Sequence, residues 1–144
     1  MILIQSVIII ISFFLVSLIE FGEAIAQEDI VTNDTNDTNA LMEKGVSLKN
    51  LGQYEEAIKF YDSVLALDPN NVEALTDKGA SLANLGNFNE SIGYYDQALA
   101  IDPNYIRALN NKGAALGNLG KYNESIEYHD KALAIDPNYI TWIH

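Results

Sequence analysis

Among the side chains of this 144-residue chain that could do chemistry, Asn50, Asn84 and Asn118 recur at a fixed interval of 34. An amide carries both donors and an acceptor, so a ladder of amides can hydrogen-bond the backbone of an extended peptide without choosing its side chains strongly. Each of the three is also followed by Leu-Gly. Asparagine is favoured near a helix C-terminus, so the same residues can simply finish a helix. Both readings stand at this point.

Other chemistry is sparse. His129 and His144 are the only histidines and do not have ligand or catalytic spacing. The chain has no cysteine, which excludes disulfides, thiolate metal sites and cysteine nucleophiles. Carboxylates such as Glu55, Glu56, Asp68 and Asp102 follow the repeat and read as solvated or capping groups rather than an acid/base pair. Lys44, Lys78 and Lys112 keep the same interval and read as a helix-surface series. Glycine-rich phosphate loops and nucleophile elbows are absent. The expectation is no catalytic residue, no metal and no cofactor. With 20 acidic against 8 basic residues the net charge is −12, which makes nucleic acid a poor partner.

The elements that would position the asparagines follow from one unit that comes three times, beginning at Asn50-Leu51-Gly52, Asn84-Leu85-Gly86 and Asn118-Leu119-Gly120. Lys44-Gly45, Lys78-Gly79 and Lys112-Gly113 keep the period, as do Pro69, Pro103 and Pro137. Leu75, Gly79, Leu82 and Leu85 are spaced to share one helical face, and Gly86 follows where a left-handed residue costs least. A second helix runs from Phe88 through Ile92, Tyr95 and Leu99, until Asp102-Pro103 stops it. Gly79 and Ala98 suit a close helix crossing, and Asn70 with Glu73 suits a capping box at the next first helix.

This pattern resembles the tetratricopeptide repeat family. In the second repeat the family's small and large positions fall on Leu75, Gly79, Leu82, Gly86, Phe88, Ser91, Tyr95, Ala98 and Pro103, and the third supplies Leu109, Gly113, Leu116, Gly120, Tyr122, Ser125, His129, Ala132 and Pro137. Ser91 and Ser125 stand where the family usually has alanine, and His129 where it usually has an aromatic ring, which implies looser packing in the last repeat.

The resemblance implies an all-α fold, an α-solenoid of antiparallel helix pairs, with a concave side lined by the first helices that binds a peptide or helix of a protein partner. Groove positions then fall on Met42, Val46, Lys49 and Asn50, on Glu73, Thr76, Asp77, Ala80 and Asn84, and on Arg107, Asn110, Asn111, Ala114 and Asn118. Members that bind chaperones grip a terminal carboxylate with basic and amide groups, but Met42 and Val46 occupy two of those positions here, so that clamp is not carried over.

Residues 2–19 form an apolar run followed by Ala24-Ile25-Ala26, which reads as a signal peptide over 1–26 or a retained N-terminal membrane anchor. Residues 27–38 read as a flexible polar linker. Its two Asn-Asp-Thr sequons make Asn33 and Asn36 candidate glycosylation sites, whereas Asn89 and Asn123 read as helix-start residues. The repeats occupy 39–139, in units 38–71, 72–105 and 106–139, and 140–144 begin a further helix.

Together these readings give a non-catalytic interaction scaffold, secreted or extracytoplasmic, touching membrane only through its N-terminal segment. The alternative is a fragment or substrate-presenting module of a larger enzyme. Tyr128, His129, Leu133 and Ile135 have no following repeat to cover them, which predicts self-association through the C-terminal end or a longer repeat array.

Overall fold

The computed structural model describes residues 37–139, and the apolar run, the cleavage motif, the sequon asparagines Asn33 and Asn36 and the segment 140–144 lie outside them. Six α-helices follow one another: α1 (Thr38–Asn50), α2 (Tyr54–Leu67), α3 (Val72–Asn84), α4 (Phe88–Ile101), α5 (Ile106–Asn118) and α6 (Tyr122–Ile135). No strand occurs among the described residues, and none of their helices is long and apolar enough to cross a membrane.

Each pair is closed by the Leu-Gly turn. Gly86 sits at φ 83°, a conformation that costs a residue with a Cβ but not glycine. The turn returns two amides to α3: Gly86 N–H donates to Ala83 O at 3.0 Å and Asn87 N–H to Leu82 O at 2.9 Å. That is the double bond pattern of a Schellman motif, and it recurs at Gly52 and Gly120.

Between pairs, Asp-Pro-Asn makes the turn. Asp68, Asp102 and Asp136 each accept the backbone N–H of the asparagine two residues on, at 3.2, 3.0 and 2.9 Å. This corrects the expected capping box. Because Asp68 takes the Asn70 amide into the turn, α3 starts one residue later, and the cap is Asn71, whose Oδ1 accepts Ala74 N–H at 2.9 Å. Asn89 and Asn123 lie in the first turn of their helices, as expected, but cap neither. The N-cap positions there are Asn87 and Lys121, with no side-chain cap, and the sequon asparagines lie one position inside.

Packing within a pair rests on a glycine against a ring, and Tyr61 and Tyr95 are fully buried over Gly45 and Gly79. In the third repeat His129 takes that place over Gly113, only half-buried, with Nδ1 2.7 Å from Asn110 Oδ1. The smaller, polar ring leaves this slot less sealed than the two tyrosines do. Between pairs, Val64 packs with Ala74 and Ala98 with Ala108, so the core is a chain of small clusters rather than one central mass.

Candidate binding groove

The first helices α1, α3 and α5 are joined across their shared face by one carboxylate. Asp77 Oδ1 on α3 accepts from Lys49 Nζ on α1 at 2.7 Å and from Arg107 Nη2 on α5. Arg107 also reaches Glu73 Oε1 at 3.5 Å and the Tyr105 hydroxyl at 3.3 Å. Asp77 is only 1% exposed, so the attraction acts at low dielectric and holds three helices in register. Burial works against the Arg107 charge, but Asp77, Tyr105 and Glu73 together outweigh it and the guanidinium is held more strongly protonated than usual.

Two expected groove residues are thereby corrected. Asp77 is packed between helices and not offered to a partner, and Thr76 is fully buried, its hydroxyl donating to Val72 O at 2.8 Å. Lys49 and Arg107 remain partly exposed, yet both are spent on Asp77. Beneath them Asp77 Oδ2 and the Tyr61 hydroxyl are buried with no hydrogen-bond partner.

The asparagines divide. Asn110 turns to His129, as above, whereas Asn84 and Asn118 are exposed on the rim of a cleft of about 200 Å³ with Asn111 beside them. Phe88, Tyr95 and Ala114 supply its apolar lining. Asn84 Nδ2 donates to Ala80 O at 2.8 Å and Asn118 Nδ2 to Ala114 O at 3.0 Å. Each amide thus bonds back to its own helix, as the helix-ending reading expects, while its side chain stays exposed. Asn50 lies on a separate, larger cleft of about 700 Å³ with Met42, Val46, Glu43 and Glu73.

Sequence reasoning missed the role of the lysine series. Lys78 and Lys112 are buried, not surface residues: each pairs with an aspartate sixteen positions back, Asp62 or Asp96 on the preceding helix. Each ammonium also lies over a ring, Lys78 at 4.3 Å from the Tyr94 centroid and Lys112 at 4.1 Å from Tyr128. Burial opposes these charges, but the aspartate and tyrosine partners prevail and raise both pKa values. The signal was present, since Asp62 and Asp96 keep the same 34-residue period. Among the described residues no group of three histidines or carboxylates is placed to hold a metal.

Among curated proteins none matches the chain. Solved structures do. The first repeat domain of Spaghetti (RPAP3) bound to the HSP90 peptide SRMEEVD is 28% identical, with a TM-score of 0.70 over 74% of this chain and 85% of that one. The first such domain of human RPAP3 is 27% identical, with a TM-score of 0.71 over 74% and 84%. A MamA RS-1 double mutant is 30% identical with a TM-score of 0.67, this chain spanning 62% of its length and aligning over 76% of its own. The profile of the tetratricopeptide repeat matches residues 38–71, 72–105 and 106–139, and the chain belongs to that family.

Proposed function

We propose that this chain is an interaction scaffold whose concave face holds an extended, neutral or basic segment of a protein partner, exported or tethered by its N-terminal segment. One observation carries the reading: the exposed amides of Asn84 and Asn118, one repeat apart and each with its Nδ2 bonded to its own helix, flank a cleft that Phe88, Tyr95 and Ala114 help to line. Carbonyls spaced in this way suit the N–H groups of an extended backbone, and the cleft suits an apolar side chain between them.

Charge narrows the partner. Spaghetti is bound to a peptide rich in carboxylates. In this chain the comparable attraction is quenched, because Lys49 and Arg107 are already neutralised by Asp77 and Glu73. Glu43 adds negative charge at the neighbouring cleft, and the whole chain carries −12. An acidic peptide is therefore disfavoured and a basic one steered in.

Binding of extended peptides of graded charge to the full chain tests this. Neutral and basic peptides should bind and lose affinity to the double variant Asn84→Ala/Asn118→Ala. If SRMEEVD binds as tightly as its neutral counterpart, or the double variant binds as well as the native chain, the reading fails. Export rests on the apolar run and the Ala24-Ile25-Ala26 motif. N-terminal sequencing of the protein from its native source should find Gln27 first if the segment is removed.

A further inference from the structure

The junction between neighbouring repeats is built twice from the same parts. Ala74 clusters with Val64 and Lys78 reaches Asp62; one repeat on, Ala108 clusters with Ala98 and Lys112 reaches Asp96. Further along the same face Ser81 and Ala115 are buried and Leu85 and Leu119 half-buried. On α1 and the turn after it the corresponding residues are Ala40, Lys44, Ser47 and Leu51. There Lys44 and Ser47 are exposed, and Leu51 is 73% exposed. Among the described residues, α1 and the turn after it thus present a complete junction face, including an ammonium that makes no ion pair among them.

The other end presents the complement. Asp130 stands where Asp62 and Asp96 stand in their repeats; it is exposed and makes no ion pair among the described residues. Leu133 is exposed although its equivalents Leu65 and Leu99 are half-buried and packed into the junction clusters. Ile126 is 58% exposed although Ile58 and Ile92 are half-buried.

We infer that these two faces dock on each other between molecules: a second copy of this chain lays its α1 against α6 of the first, bringing Lys44 to Asp130 and Leu51 and Ala40 onto the apolar residues of α6. The occupant is chosen by complementarity matched position by position to a contact the chain already makes twice. The contact is heterologous, one end of a copy against the opposite end of the next, so it propagates along a row of copies unless the rotation closes a ring.

Sedimentation of the full chain in mild detergent tests this with two exposed-site variants, Lys44→Asp and Asp130→Lys. The native chain should sediment as dimers and larger species. Each variant alone sets like charges together at the junction and should associate at least roughly tenfold more weakly. An equimolar mixture should recover association, because the new carboxylate of one variant meets the new ammonium of the other while native Lys44 still meets native Asp130. Unchanged circular dichroism of each variant shows that it is folded. A monomeric native chain, as when other parts of the same chain cover either face, overturns the inference. So do variants that associate like the native chain, as they would if the apolar run 2–19 drove assembly, and a mixture that stays monomeric.

Discussion

Gly79 lies beneath the ring of Tyr95 so closely that a methyl group on its Cα would stand 2.6 Å from Cε1. Tyr95 is almost fully buried, so the ring must shift to admit it. Gly79→Ala should therefore destabilise by about 1–3 kcal/mol through overpacking, despite the better helix propensity of alanine. Gly93 in α4 has nothing within 4 Å of the same added atom, so Gly93→Ala should stabilise by about 0.5–1 kcal/mol. Urea denaturation of both variants checks the sign; two shifts in the same direction would refute the packing argument.

Leu82 on α3 is 5% exposed. Leu82→Ala removes a large core side chain and leaves a cavity that rigid helices fill poorly, at a cost of about 2–5 kcal/mol. An unchanged melting temperature would show that this face is not core.

Asp77→Asn keeps the shape and removes the charge that joins Lys49 and Arg107. Since both cations keep some contact with water, the expected loss is about 2–4 kcal/mol, toward the lower side of what breaking a buried pair costs. The freed cations should also raise affinity for acidic peptides. A variant as stable as the native chain and with unchanged peptide preference would dissolve the three-helix link.

Alkaline pH should unfold the protein early. Burial, reinforced by the Asp77 charge, raises the phenols of Tyr61 and Tyr95 from their ordinary 10.0, and aspartate partners raise Lys78 and Lys112 from 10.5. For every one of these groups the folded state holds its proton longer than the unfolded chain. Their stabilisation is complete below pH 10 and is lost as pH rises above it toward the folded values. Melting temperature measured from pH 8 to 12 should fall steeply above 10, and less steeply for Tyr95→Phe. A flat profile would contradict the burial of these phenols.

The helices and turns could be read from the residues because their causes are local: leucines at spacings of three and four, glycine at the left-handed turn, proline after the second helix. What could not be read depends on a partner from elsewhere. Asn70 looked like a cap until Asp68 drew its amide into the turn. Lys78 looked like a surface residue because Asp62 lies on a different helix. Asp77 was placed on the correct helices' face, but only the packing of α1 and α5 beside α3 shows it sealed beneath Lys49 and Arg107. The asparagine ladder was read for its chemistry and for its helix-ending role, and the bonds of Asn84 and Asn118 to their own helices match the second.

The link between Arg107 and Glu73 spans 34 residues, the length of one repeat. Such low contact order favours rapid folding and lets each helix pair open with little reference to distant ones. Amide exchange should then be graded, fastest in α1 and α6 and slowest in α3 and α4. A peptide gripped by both Asn84 and Asn118 would fasten two units that otherwise breathe separately, so partner binding should be visible as slowed exchange in α5, beyond the residues it touches.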